Sequence, residues 1–203
     1  MIRGEAIKMR TYFLLPNYKN YWCFDIDTDH LAEKLKIDPE SEAYDELIDF
    51  GMHGVSYIDI WNEPVATFKP LPDWPTANEI PDISVFNSSV LVFSQRACAL
   101  MRPGFEEYGE LLPVDVRGRT FYVLNVLKRV NIDNEKTEWN MLYGAIESPK
   151  LLAFDHQELT NTYLFYCEEH PVHGLYCTTP FKEAIETLGF KGLIFDSSAL
   201  EAE

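Results

Sequence analysis

An α+β fold, with a mostly antiparallel or mixed sheet and a few short helices, is what this sequence predicts. Strand-like and helix-like segments follow one another without the strict alternation that a doubly wound parallel sheet requires. Two pairs of strand-like segments are separated by turn residues, as in hairpins. Hydrophobic residues make up 46% and aromatics 14% of 203 residues, enough to bury a substantial core. The chain reads as one domain over 1–203. It allows an N-terminal part, 9–80, and a C-terminal part, 88–196, joined by an ordered proline-rich stretch.

Residues 10–15 read as a first strand, stopped by Pro16 and Asn17. Met9 is a candidate natural start, which makes 1–8 an extension. Residues 21–24 suit a short strand, and Thr28 caps a short helix with Leu31 and Leu35 inward. Asp38-Pro39-Glu40 predicts a helix start, because Asp accepts free N–H groups and Pro suits the first turn. Tyr44, Leu47 and Ile48 then share one helical face, and Gly51 ends the helix. Residues 61–86 carry Pro64, Pro70, Pro72, Pro75 and Pro81 among Trp61, Phe68 and Trp74, which excludes a long helix or a central strand.

The second half is more regular. Residues 90–93, Val-Leu-Val-Phe, predict a buried strand. Ser94 caps a helix through Leu100 and Met101, stopped by Pro103-Gly104. Residues 111–116 and 120–127 form a hairpin around Arg117-Gly118, and 160–167 with 175–178 form another. Thr179-Pro180 opens the last helix, with Phe181, Ala184, Ile185 and Leu188 inward and Gly189 closing it. Residues 192–195 give a closing strand.

The charge is −16, and its distribution is uneven. Residues 25–82 hold 15 acids against 3 bases, while 1–24 are mildly basic. Such a surface repels nucleic acid and anionic membranes and attracts basic partners. Cys23, Cys98, Cys167 and Cys177 are scattered, unlike a disulfide scaffold. No signal-peptide pattern or membrane-length apolar run is present, so a reducing cytoplasm is the expected location.

For chemistry, Cys167, His170, His173 and Cys177 are a zinc-type donor set in composition. They fall on the ends and turn of a predicted hairpin and lack a Cys-x-x-Cys pair. The favoured reading is therefore strand and turn residues, with no metal and no cofactor. His53 lies near Asp59 and Glu63 in sequence, an acid–base combination that so acidic a segment produces by composition alone. Ser94 and Cys98 read as helix cap and core rather than nucleophiles. No phosphate loop, nucleophile elbow or HExxH is found, so no catalytic residue is assigned. The candidate contact surface is acidic with aromatic anchors: Asp45, Glu46, Asp49, Asp59, Trp61, Glu63, Asp73 and Trp74. Tyr57 and Trp139 are further aromatics among acids, and such exposed rings also allow self-association.

Several segments together resemble one family. They are Val92-Phe93-Ser94-Gln95-Arg96-Ala97, Glu110-Leu111-Leu112-Pro113-Val114, Phe121-Tyr122-Val123-Leu124-Asn125-Val126 with Asp133, Phe181-Lys182-Glu183-Ala184, and residues 188–195. In order and spacing they are similar to the immunity protein 11 family of bacterial polymorphic toxin systems, over roughly residues 9–195. Tyr12-Phe13-Leu14-Leu15 fits the family's usual start. After Asp133 the family tends to have a second Asp and a Ser, whereas Asn134-Glu135-Lys136-Thr137 stand here. The resemblance implies a protein that binds and neutralises a cognate toxin, with no catalytic residues. A basic toxin would suit the acidic surface. The alternatives are an enzyme of unknown reaction, with metal at the Cys167/His170/His173/Cys177 hairpin, and an acidic adaptor with several weak partners.

Overall fold

The computed structural model describes residues 9–102 and 104–200, so the candidate start at Met9 with its 1–8 extension, and Pro103, lie wholly or partly outside the described residues. The fold is α+β, with twelve strands in four small sheets and five short α-helices among the described residues. Two four-stranded antiparallel sheets form the frame. One has the order β4(Ile83–Phe86), β5(Val90–Ser94), β7(Arg119–Val126), β6(Gly109–Val116). The other has the order β10(Leu164–Cys167), β11(Gly174–Thr178), β1(Thr11–Pro16), β12(Leu193–Asp196). Leu91, Phe93, Leu124 and Val126 from the first sheet meet Leu14, Leu164, Leu175 and Cys177 from the second in a central core. Residues alternate faces along a strand, so the intervening side chains build two outer cores.

On the outer face of the first sheet, Val90, Val92, Leu112 and Val123 pack under α1(Thr28–Leu35), α2(Glu42–Ile48) and the ribbon of β2(Cys23–Ile26) with β3(Ala66–Lys69). On the outer face of the second, Phe165, Cys167 and Tyr176 pack with Phe13, Phe154 and Leu159. Leu159 belongs to the single turn α4(His156–Leu159), and Trp139 anchors the base of a separate hairpin, β8(Glu138–Leu142) and β9(Ala145–Leu151). Helices α3(Gln95–Met101) and α5(Thr179–Thr187) contribute Ala97, Cys98, Phe181 and Ile185 to the central core.

The division of the chain into 9–80 and 88–196 is crossed by two arrangements. Strand β1 lies between β11 and β12, pairing with both. The N-terminal helices cover a sheet made of residues 83–126.

Local chemistry explains most element boundaries. Ser94 Oγ accepts from the Ala97 N–H at 3.2 Å and caps α3 as expected. Arg117 and Gly118 both have positive φ, 54° and 77°, the turn that matches the twist of paired strands. Helix α1 is capped one residue earlier than expected: Asp27 Oδ1, not Thr28, accepts from the His30 N–H at 2.7 Å. Helix α2 begins at Glu42 rather than at Asp38-Pro39-Glu40. Asp38 instead closes a tight turn, accepting from Glu40 N–H at 3.0 Å and, through its carbonyl, from Ser41 Oγ at 2.6 Å. A local side-chain bond has displaced the first helical turn. Ile48, expected inward, is 49% exposed, because Leu47 and Phe50 occupy the core side of so short a helix. The proline-rich 61–86 stretch holds only short strands, β3 in a two-stranded ribbon and β4 at a sheet edge.

Candidate functional site

The acidic segment folds into two separate patches. In the first, the exposed side of α2 presents Asp45, Glu46 and Asp49. The chain then enters the core at Phe50 and returns to the surface in a turn over residues 58–60. Phe50 ties the two together: its ring lies 5.1 Å from Tyr57 and stacks on Trp61 at 5.8 Å. The Tyr57 hydroxyl donates to the Glu46 carbonyl at 3.4 Å. Asp59 and Glu63 are exposed on this same returning segment.

The turn is fastened from beneath by Glu110 on β6. Its carboxylate is buried and accepts from Tyr57 N–H at 2.7 Å, Ser56 Oγ at 2.8 Å, Asn125 Nδ2 at 2.9 Å and Ile58 N–H at 3.3 Å. Four donors on one buried carboxylate offset the cost of removing its charge from water. Asn125 Nδ2 also donates to the Val55 carbonyl at 2.8 Å. On the other side Arg129 donates from Nη2 to the Gly51 and Met52 carbonyls, both at 3.3 Å, pairs with Glu168 at 2.6 Å, and lies over the Tyr166 ring. Burial, then the charges of Glu46 and Glu110, push the Tyr57 phenol up to about 12, so it stays a neutral donor at physiological pH.

The aromatic anchors differ from expectation. Trp61 is half-buried, with its indole N–H donating to the Pro113 carbonyl at 2.8 Å, and Tyr57 is buried. Both rings pack under the segment instead of facing outward. The large apolar side chains that do face solvent here are Ile48, Ile58 and Ile60, the second 53% exposed. Sequence reading missed them because Ile58-Asp59-Ile60 has the alternation of a half-buried strand.

Asp73 and Trp74 form the second patch. They lie beyond β3, in a loop closed by Trp74 N–H on the Leu71 carbonyl and by Trp22 Nε1 on the Ala77 carbonyl. This loop joins the Cys23–Lys69 end of the ribbon, whereas Glu63 precedes its Ile26–Ala66 end. About 10 Å of strand separates the two ends. Trp74 is 42% exposed and remains an outward-facing aromatic.

The other sequence candidates do not converge. Cys167 packs in the outer core of its sheet and Cys177 in the central one, so the two thiols point to opposite faces. The His170 and His173 rings stack on each other at 6.0 Å in the exposed turn. No cluster of three or more His, Cys, Asp or Glu among the described residues has metal-binding geometry. Burial pushes the Cys167 thiol up to about 11 and Cys177 well above its ordinary value, the opposite of what a ligand or nucleophile needs. His53 Nε2 meets Asp49 at 3.3 Å, within its own helical end, rather than Asp59 or Glu63. Cys98 is buried and Ser94 caps α3. In the 133–137 loop, Asp133 Oδ1 accepts from Glu135 N–H at 3.0 Å and Lys136 N–H at 3.3 Å.

The molecule is thus an α+β protein with a rigidly mounted acidic and apolar surface. No helix among the described residues is long and apolar enough to cross a membrane. No family model and no curated protein matches the chain.

Proposed function

We propose that this chain is an immunity protein, resident in the bacterial cytoplasm, that binds and neutralises one cognate toxin and catalyses nothing itself. The observation that carries the proposal is the patch around α2 and the 58–60 turn. Exposed Ile48, Ile58 and Ile60 supply apolar anchors on the same two segments that expose Asp45, Glu46, Asp49, Asp59 and Glu63. That is the composition of an interface with a desolvated centre and a polar rim. The rim's sign selects a basic partner and speeds its encounter. The bonds from Glu110 and Arg129 hold the surface in place before binding, which lowers the ordering cost of association. The resemblance of residues 92–97, 110–114, 121–126 with Asp133, 181–184 and 188–195 to the immunity protein 11 family supports the same reading.

The test is co-expression with the product of the adjacent gene, read by growth and by pull-down. Toxicity of the neighbour alone, growth restored by co-expression, and a one-to-one complex retained at low salt are expected. Reversing Asp59 and Glu63 to Lys should weaken the complex roughly tenfold or more. A complex indifferent to both reversals would remove this patch from the interface. A neighbour that neither harms nor binds would remove the immunity reading itself.

A further inference from the structure

One cleft of this acidic molecule is lined by two arginines. The cleft, about 440 Å³, lies between the β6–β7 turn and residues 80–82. Arg117 and Arg119 line it together with the apolar Ile80 and Phe121 and the polar Asp82 and Ser94. With 33 acids against 17 bases in the chain, an arginine readily finds a carboxylate. Neither Arg117 nor Arg119 has one within ion-pair distance among the described residues. The carboxylate in the wall is already engaged: Asp82 Oδ1 meets Arg96 at 3.3 Å and Oδ2 accepts from Lys191 N–H at 3.2 Å.

The arginines are also positioned. The two-residue turn fixes Arg117 at φ 54°, Asp115 Oδ1 accepts from the Gly118 N–H at 2.8 Å, and the Arg117 guanidinium stands 6.0 Å over the Trp22 ring. Trp22 is itself held by the Ala77 carbonyl. Ser94 Oγ accepts from Ala97 N–H, which leaves its O–H free to donate. A second, polar cleft is lined by Lys19 and Lys191 together with Glu79, two cations against one carboxylate.

We propose that the cleft binds a small organic anion, a carboxylate or a phosphate carried on an apolar body about the size of one aromatic ring. Two guanidiniums and a hydroxyl match the anionic head, since the guanidinium fork fits either group bidentately. Ile80 and Phe121 take the apolar body, and the volume is in the range of small-ligand sites. The net charge restricts the ligand to small size. A polyanion would overrun the cleft into a surface carrying −16 overall. This inference is independent of the toxin-binding reading.

The experiment is an NMR titration of the full chain at low salt with phenyl phosphate, benzoate, inorganic phosphate and phenol. Phenyl phosphate or benzoate should shift the amides of Arg117, Gly118 and Arg119 with a dissociation constant of about 1 mM or tighter. Phosphate and phenol should each bind roughly tenfold more weakly, because each has only half of the recognised groups. The stronger of the two aryl anions identifies the head group. The Arg117→Gln/Arg119→Gln variant should lose at least about tenfold in affinity while its amide spectrum shows the native fold, and Lys34→Gln, outside the cleft, should bind as wild type. No saturable shift at these amides, or a double variant that binds as wild type does, overturns the proposal.

Discussion

Glu110 fastens the 56–58 segment from beneath through its buried carboxylate. Removing its carboxylate strands the Tyr57 and Ile58 N–H groups and the Ser56 hydroxyl, while Asn125 keeps only its bond to Val55. Glu110→Ala should therefore cost about 3 kcal/mol in urea unfolding, and Glu110→Gln somewhat less, since one acceptor oxygen survives. A loss under about 0.5 kcal/mol for Glu110→Ala would mean that the 56–58 segment is held by its apolar contacts alone. The buried acids of higher pKa act at the other end of the pH scale. Cys167 is raised to about 11, Cys177 is raised well above its ordinary value, and Tyr57 is raised to about 12, each chiefly by burial. The folded state holds these protons more tightly than the unfolded chain, whose thiols ionise near 9.0. Their contribution is complete below that pH and is lost as pH rises toward the folded values. Urea midpoints should be level through neutral pH and then fall, at up to about 1.4 kcal/mol per pH unit for each thiol. Cys177→Ala should flatten that slope. An unchanged slope would assign the alkaline loss to other groups.

Among the elements, β5 and the β8–β9 hairpin are opposite extremes. Strand β5 is inner in its sheet and buried on both faces, which its Val-Leu-Val-Phe run announces. Among the described residues, strands β8 and β9 pair only with each other, and their tip exposes Met141, Leu142, Ile146 and a fully exposed Tyr143. A two-stranded hairpin is marginal in water by itself, so its stability rests on Trp139 at the base. Amide hydrogen exchange should open β8 and β9 first and β5 and β7 only on global unfolding. Tyr143→Ser should leave stability within about 0.5 kcal/mol. Protection of the hairpin equal to that of β5 would mean that the tip is covered in solution by something else. The same contrast explains what the sequence made legible. Ser94, Thr179-Pro180 and Arg117-Gly118 mark elements because cap and turn chemistry is local. The β8–β9 hairpin was missed because its turn is Tyr143-Gly144, not an Asn-Gly or Asp-Gly pair, and its exposed strands carry no core-facing alternation. The insertion of β1 between β11 and β12 and the reach of Glu110 to residues 56–58 are pairings between distant segments, to which local pattern is blind. The acidic character of the 25–82 segment was readable, while the inward packing of Trp61 and the exposure of Ile48, Ile58 and Ile60 were not.

For the molecule as a whole, one charge distribution governs both stability and association, and salt separates them. Residues 25–82 carry 15 of the 33 acids with only 3 bases, and they fold onto one side of the first sheet. The ion pairs of this segment among the described residues, such as Lys69–Asp25 and Arg96–Asp82, are partly or fully exposed, and such pairs contribute little. Self-repulsion is thus the larger long-range effect within the folded chain. Raising NaCl from about 10 mM to about 300 mM shortens the screening length several-fold and weakens that repulsion. The melting temperature should rise by about 2–4 °C, the change expected for roughly 1 kcal/mol in a chain of this size. The same series should weaken a complex with a basic partner, mainly through a slower association rate, because steering depends on the field while the apolar contacts of Ile48, Ile58 and Ile60 do not. Stability that rises while affinity falls is the signature of an acidic surface built for a partner. If stability fell as well, the exposed ion pairs would outweigh the repulsion. If affinity held constant, the partner would be recognised by the isoleucines and not by the acids.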